Sequence, residues 1–312
     1  MPVDYTLSFR LLGTFEIRTT SAAKPIALRR QMRAILAYLV ATNQPQSRQL
    51  LMDWFCQEAD DPSGALRSIL SRLRQRLGLE VLLTEGNLVR FNSVVGWVDC
   101  IEFANHLETD LSALSMEKLL TTVDLYRGEF LENVTLTSAP EFEFWLLNDR
   151  ARYHQLYQHG LGELIDRFTR KGEIESAIER AQRSVRCDPL HEEAHARLME
   201  LYARNGQREA ALDQYELCRQ YLQRELAVEP IPELQVLRDE IAAGQPGGPD
   251  GVCREGHFRS RSRLHASGAH RDPVPASDRG CGGGTGLGHG LARLGGKNSR
   301  RGVLHAEPSR CH

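Results

Sequence analysis

The sequence predicts a mainly α-helical protein with an N-terminal α+β region, a larger helical repeat domain and a tail of different composition. Three observations support this prediction. A basic helix is followed directly by a β-hairpin in residues 62–91, and a 34-residue spacing repeats across residues 164–212. After residue 244 the composition shifts to Gly and Arg. We therefore expect three parts, at residues 1–98, 99–244 and 245–312.

The first 60 residues predict two strands and two helices. The segments LSFRLLG and FEIR have the short apolar character of strands in a small sheet. Residues 31–40 form an apolar-striped helix that Asn43-Gln44-Pro45 should end. Ser47 is the expected N-cap of a short helix that runs through Phe55.

Residues 62–78 predict a longer helix with two different faces. An apolar stripe occupies positions spaced by three and four: Leu66, Ile69, Leu70, Leu73 and Leu77. Hydrogen-bond donors occupy the opposite arc, with Arg74 and Arg76 beside it: Arg67, Ser68, Ser71, Arg72 and Gln75. Gly78 should end the helix, and no acidic residue lies between Pro62 and Leu79. The simplest alternative is an amphipathic surface helix with a basic face.

The next residues, LEVLLTEGNLVRF, predict two short strands around a Glu-Gly-Asn turn. A basic helix directly ahead of a hairpin is typical of a winged helix-turn-helix, whose helix lies in a DNA major groove. We call residues 62–77 the reading helix and the hairpin the wing.

The order of strands, three helices and hairpin resembles the DNA-binding domain of OmpR/PhoB-type response regulators. The segments FRLLGTFEI, RRQMRAILAYLV and LRSILSRLRQRLG are most similar to the SARP-like (antibiotic regulatory protein) activators, across residues 6–98. The resemblance implies that the loop before the reading helix contacts RNA polymerase. In this chain that segment, MDWFCQEADDPSG, is shorter and more acidic than in the family. A phosphorelay role follows from family association only.

This interpretation assigns DNA contacts to ten residues. On the reading helix we expect base contacts from four side chains, with Ser68 beside them: Arg67, Ser71, Arg72 and Gln75. Four arginines are expected to hold the phosphate backbone: Arg29, Arg30, Arg33 and Arg74. Arg90 in the wing should reach a flanking phosphate or the minor groove.

The charge is distributed unevenly along the chain. The net charge of the whole chain is −2, whereas residues 1–98 carry +4, residues 99–244 carry −12 and residues 245–312 carry +6. A basic head on an acidic body suits a DNA-binding domain joined to a protein-binding one. A charge of +4 is modest, so charge alone does not establish DNA binding.

The second domain contains an internal repeat. Gly172 and Gly206 are 34 residues apart, as are Ala177 and Ala211. A helix-turn-helix unit of this period, with Gly at the turn and Ala in the next helix, resembles a tetratricopeptide repeat. The motifs LYRGEFL, FWLLNDR, DPLHEEAHARLMELYARNGQREAALDQY and LAVEP resemble the bacterial transcriptional activator domain across residues 99–243.

The segment His191-Glu192-Glu193-Ala194-His195 matches the H-E-x-x-H pattern of zinc hydrolases. No third ligand is identifiable, and the segment lies where the first helix of a repeat unit begins. We therefore interpret His191 and His195 as half-buried packing groups, expect neither metal nor cofactor, and assign no catalytic residue.

The remaining features predict a cytoplasmic protein. The N-terminus lacks the pattern of a secretory signal, no apolar run is long enough for a transmembrane helix, and the seven cysteines show no disulfide framework. Cys56, Cys100, Cys187 and Cys218 are expected as small buried hydrophobes. The tail contains 15 Gly and 10 Arg, predicts disorder, and is consistent with a reading-frame change within a longer regulator that carries an NTPase module.

The sequence as a whole predicts a sequence-specific transcription regulator, an activator rather than an enzyme. Its expected partners are double-stranded promoter DNA, RNA polymerase and a second copy of itself on repeated DNA sites, with no membrane contact. Two alternatives remain open: an interaction scaffold that does not bind DNA, and a zinc hydrolase that uses the HEEAH segment.

Overall fold

The computed structural model describes residues 6–19 and 25–244. Its N-terminal region contains two strands, three helices and a hairpin in the predicted order, together with two short strands, Gln46–Ser47 and Gly96–Val98, that the sequence did not predict. The elements are β1 (Leu7–Arg10), β2 (Glu16–Thr19), α1 (Arg30–Thr42), β3 (Gln46–Ser47), α2 (Arg48–Phe55), α3 (Pro62–Leu77), β4 (Leu82–Glu85), β5 (Leu88–Phe91) and β6 (Gly96–Val98).

Two three-stranded sheets frame these helices. In the first, β1 lies between β2 and β6, antiparallel to β2 and parallel to β6. In the second, β5 lies between β3 and β4, antiparallel to both. The short strand β3 leads directly into α2, so the wing is fixed to the start of that helix as well as to α3.

Local chemistry explains where the three helices begin and end. Asn43 takes a left-handed conformation (φ 49°) after α1, as the predicted break requires. The Ser47 hydroxyl accepts a hydrogen bond from the Leu50 amide (3.1 Å), which confirms Ser47 as the N-cap of α2. Asp61 caps α3 by accepting from the Gly64 amide (2.9 Å).

The helical body follows without a linker. Its elements are α4 (Asp99–Leu107), α5 (Met116–Val123), α6 (Pro140–Lys171), α7 (Ile174–Cys187), α8 (Glu192–Arg204), α9 (Arg208–Leu226) and α10 (Pro232–Ala242). Helix α6 packs on α7, and α8 packs on α9. Gly172 (φ 77°) and Gly206 (φ 72°) form the two turns, and Ala177 and Ala211 are fully buried. The predicted repeat is therefore confirmed in its register.

The carboxylate of Asp99 connects the two regions at the point where β6 becomes α4. It is buried and accepts hydrogen bonds from the amides of Leu11 (2.7 Å), Leu12 (3.2 Å) and Cys100 (2.7 Å). Its other partner is the Arg127 guanidinium, at 2.9 Å. This carboxylate is paired with a guanidinium. It also supplies the hydrogen-bond acceptors that the buried backbone amides after β1 require.

The segment between α5 and α6 adds further bonds to the N-terminal region. The Leu131 amide donates to the carbonyl of Leu11 (2.8 Å), and the Gly13 amide donates to that of Glu129 (3.1 Å). One apolar core runs from Leu7 through α1, α3 and α6, and a smaller one lies among α8, α9 and α10. The N-terminal region and the first part of the helical body are thus packed together.

The predictions for residues 245–312 fall outside the described residues. Among those that are described, no helix combines the length and apolar character needed to cross a bilayer. The cysteines Cys56, Cys100 and Cys218 are free and buried, as predicted, whereas Cys187 is only half-buried.

Candidate nucleic-acid interface

Helix α3 is divided into a buried stripe and a solvent-facing arc, as its periodicity predicts. The five predicted apolar residues are all buried. The arc is exposed along about three turns, through Arg67, Ser68, Ser71, Arg72, Gln75 and Arg76. Pro62 at the first turn and Gly78 after the last residue fix the two ends of this helix.

Three arginines of this surface have no partner within the part of the chain that the structure describes. The side chains of Arg67, Arg72 and Arg76 make neither a hydrogen bond nor an ion pair there. A guanidinium without a protein partner keeps all five N–H donors available for phosphate oxygens or guanine.

An open cleft lies beside the C-terminal half of α3. Its volume is about 610 Å³, and its walls come from the start of α1 and from α3. Arg29, Arg72 and Arg76 line it together with Gln75. Arg29 precedes α1 and makes no side-chain capping bond. The cleft therefore brings three cationic side chains, two from α3 and one from the residue before α1, to one concave surface, which attracts an anion.

Arg74 has a different environment from its neighbours on α3. Its guanidinium donates to the carbonyl of Leu82 from both Nε (3.2 Å) and Nη2 (3.1 Å), and Nη2 also donates to Thr84 Oγ1 (2.6 Å). Both partners belong to β4. Arg74 thus ties the wing to the reading helix.

The wing is a short hairpin whose turn is formed by Gly86 and Asn87. Glu85 pairs with Leu88, and Gly86 has a φ of 58°, which suits a two-residue hairpin turn. Arg90 lies on β5, 3.5 Å from Glu85, with 42% of its side chain exposed. An ion pair this exposed is weak, so Arg90 can exchange it for a phosphate.

Arg30 and Arg33 point to the helical body rather than to α3. Arg30 Nε donates to the Thr135 carbonyl at 2.7 Å, and Arg33 donates to the carbonyls of Asn133 (3.4 Å) and Leu28 (3.3 Å). These two arginines join α1 to the segment before α6. The structure therefore brings Arg29 to the reading helix and does not bring Arg30 or Arg33 there.

Arg76 is a candidate that the sequence interpretation placed beside the arc without assigning it a contact. It lines the cleft with Arg72, four residues earlier on the same helix. That spacing puts the two side chains on one face, so helical periodicity could have identified it.

The HEEAH segment has a structural role in the described residues. His195 is fully buried on α8, where its Nε2 lies 3.0 Å from the Pro189 carbonyl and its Nδ1 lies 2.6 Å from Gln214 Nε2. The amide donates to Nδ1, so Nε2 carries the proton. Burial lowers the pKa of His195, which favours this neutral form. Because both ring nitrogens are engaged, this histidine has no lone pair left for a metal.

A second surface is apolar and lies where α2 meets α6. A shallow cleft of about 570 Å³ is lined there by Trp54, Pro140, Glu141, Phe144, Trp145 and Asn148. Phe144 is 69% exposed and the nearby Leu147 is 64% exposed. We call Trp54, Phe144, Trp145 and Leu147 the aromatic patch. Clustered large apolar side chains in solvent are typical of a protein-binding surface.

Comparison with known proteins assigns the helical body. Residues 102–242 match the family model described as the bacterial transcriptional activator domain. Among solved structures, the chain is similar to Mycobacterium tuberculosis EmbR in complex with a low-affinity phosphopeptide, with a TM-score of 0.58 and 21% identity. The likeness covers 77% of this chain and 66% of that one, so the chain spans less than two thirds of EmbR.

No curated protein matches the chain. At 21% identity, the likeness to EmbR shows a common fold. Since residues 102–242 make up less than half of the chain, a likeness over 77% of it extends into the N-terminal region.

Proposed function

We propose that this chain, a SARP-like regulator by its bacterial transcriptional activator domain, binds promoter DNA in a sequence-specific manner and activates transcription in the cytoplasm. The observation that carries the proposal is the solvent-facing arc of α3. Its arginines lack partners among the described residues, while other arginines of the same region are bonded to the protein. The domain boundary that we propose is between residues 98 and 99.

The arrangement of α3 supports distinct roles for its exposed side chains. Arg67, Ser71, Arg72 and Gln75 face one direction and carry the donors and acceptors that contact base edges in a major groove, with Ser68 alongside. Arg29 and Arg76 border the cleft, where they bind a phosphate of the DNA strand that flanks the groove. Arg90 reaches a flanking phosphate from the wing.

Three arginines that the sequence assigned to the phosphate backbone take other roles in this proposal. Arg74 orients the wing through β4, so it influences DNA binding through the position of the hairpin. Arg30 and Arg33 hold α1 against the segment that precedes α6. They therefore connect the DNA-binding region to the body.

The aromatic patch supports a protein partner, which we propose is RNA polymerase. Glu141 lies on its rim, and the exposed Asp53 adjoins Trp54 on α2. These carboxylates repel a DNA phosphate backbone and attract a protein surface that carries apolar and basic side chains. Occupation of repeated DNA sites by two copies of the chain is a further part of the proposal.

DNA binding is tested by mapping the genomic fragments that the purified chain retains and measuring one of them by fluorescence polarisation. We expect binding to a recovered duplex to exceed binding to a scrambled duplex by at least about a thousandfold at physiological salt. Equal affinity for the two would overturn sequence-specific binding and favour the interaction scaffold.

Activation is tested separately with a doubly substituted patch, Phe144→Ser and Leu147→Ser. We expect unchanged affinity for the promoter and loss of transcription with purified polymerase, since the patch lies on α2 and α6 and not on α3. Val236→Ser is the matched control, because Val236 is 55% exposed on α10. Full transcription from the doubly substituted chain would exclude the patch as the polymerase contact.

A further inference from the structure

A thiol, an imidazole and a carboxylate form a cluster on the helical body, apart from the candidate nucleic-acid interface. Cys187 is the last residue of α7, and Asp188 follows it in the turn to α8. Because α7 packs along α6, His154 of α6 lies between them. Its Nδ1 is 3.7 Å from Cys187 Sγ, and its Nε2 is 3.8 Å from Asp188 Oδ2.

Solvent reaches all three groups. The side chain of His154 is 31% exposed, that of Asp188 is 40% exposed, and Cys187 is half-buried. The other cysteines of the described residues are buried, and burial raises the pKa of each, to about 12 for Cys218. Those three thiols therefore remain protonated and shielded.

The imidazole beside Cys187 is cationic at neutral pH. The Asp188 carboxylate and then the Cys187 side chain raise the pKa of His154 to about 9. Tyr126 and Tyr157, which also adjoin Cys187, stay neutral because burial raises the pKa of both. The Asp188 carboxylate pairs with Nε2, and Nδ1 faces the sulfur.

We propose that Cys187 is a reactive thiol, activated by the adjacent His154 and Asp188, whose physiological reactant is a small hydroperoxide. The sulfur attacks the terminal oxygen of the peroxide, forms an S–O bond and breaks the O–O bond. Cys187 is thereby oxidised to a sulfenic acid and the peroxide is reduced by two electrons. The imidazolium of His154 gives its proton to the departing oxygen, so hydrogen peroxide leaves as water.

The position of the cluster gives the reaction a consequence for the fold. Cys187 packs against the large core where α6, α7 and the start of α8 meet. A sulfenic acid adds an oxygen and a hydrogen-bond donor at that contact. Oxidation therefore acts on the connection between α7 and α8 and leaves the residues of α3 untouched.

The test uses the full reduced chain, a short pulse of iodoacetamide at pH 7, and mass spectrometry of each cysteine-containing peptide. We expect Cys187 in the folded chain to react about tenfold faster than in the urea-denatured chain, in which His154 no longer adjoins the sulfur. Cys56, Cys100 and Cys218 should react more slowly folded than denatured.

His154→Gln should abolish the acceleration. His159→Gln, on the exposed side of the same helix, should leave it unchanged. After treatment with hydrogen peroxide, dimedone should label Cys187 in the wild-type chain and not in His154→Gln.

Two results would overturn the proposal: equal reactivity of Cys187 in the folded and denatured wild-type chain, or unchanged reactivity in folded His154→Gln. Faster labelling of Cys218 in His154→Gln would show that this variant has opened. In that case, the reactivity of Cys187 in the folded and in the denatured wild-type chain alone decides whether the proposal stands.

Discussion

The solvent-facing arginines of α3 and the arginines of the junction with the helical body are the same residue type in opposite environments. On α3, Arg67, Arg72 and Arg76 have no partner among the residues described. At the junction, Arg127 binds a buried carboxylate, and Arg30 donates to a backbone carbonyl 105 residues away. The difference teaches that the arginines available to a ligand are those whose guanidinium groups the fold leaves without a protein partner. The following four predictions test this contrast, from the largest expected effect to the smallest.

The largest effect is expected at the junction. Asp99→Ala leaves the amides of Leu11 and Leu12 and the Arg127 guanidinium without their acceptor. We expect the free energy of unfolding to fall by about 3–5 kcal/mol, as for other broken buried ion pairs, measured by urea denaturation. Asp124→Ala is the control, because its ion pairs with two arginines are half-exposed and should contribute about 1 kcal/mol or less. Equal losses in the two variants would contradict the role of Asp99.

The next effect concerns base contacts. Arg67→Ala or Arg72→Ala should weaken specific binding by about 1–3 kcal/mol if that side chain is bidentate to a guanine, with the free energy of unfolding unchanged. Polarisation titrations with the recovered and scrambled duplexes measure this. Arg30→Ala should show the reverse pattern, with lower stability and retained sequence preference. Unchanged affinity in both α3 variants would remove these residues from the proposed interface.

Arg74 lies on the same helix as the unpartnered arginines but is bonded to the protein. Its bonds to Leu82 and Thr84 predict that Arg74→Ala lowers the free energy of unfolding by about 1.5 kcal/mol, the usual contribution of hydrogen bonds from a charged group. Hydrogen exchange of the β4 and β5 amides should accelerate. If exchange in the wing stays slow and only DNA affinity falls, Arg74 contacts DNA directly.

The smallest effect is expected at the cleft. Arg29→Ala should weaken specific and non-specific duplex binding alike and reduce the slope of log affinity against log salt by about one unit, since one phosphate contact is lost. Arg186→Ala is the control, an exposed arginine near the end of α7. A salt slope that is identical in wild type and Arg29→Ala would show that the cleft holds no phosphate.

Much of the fold was predictable because the signals are local. The stripe of α3, the Ser47 cap, the Gly86 turn and the 34-residue spacing of Gly172 and Gly206 each depend on a few neighbouring residues. The structure confirms all four. Helix ends and turns are determined by backbone chemistry that the sequence displays directly.

The site was predictable only in part, because partners of long side chains are set by tertiary structure. The sequence assigned Arg30, Arg33 and Arg74 to contacts with the phosphate backbone of DNA. It could not show that two of them bond to carbonyls about 100 residues later and the third to the wing. The parallel pairing of β6 with β1, which positions Asp99, was not predicted either. His195 was expected to be half-buried and is fully buried, since Gln214 of α9 closes over it.

The length of α6 has a mechanical consequence for the helical body. Its 32 residues form one rod of about 48 Å, with the aromatic patch near one end and the first repeat turn at the other. In a continuous helix each residue turns by a fixed angle about the axis. The direction in which Phe144 points is therefore fixed relative to the side chains that face α7. One inserted residue in the middle would rotate one end against the other by about 100° and lengthen the rod by about 1.5 Å. The helix thus fixes both the distance between the two surfaces that it joins and their relative orientation.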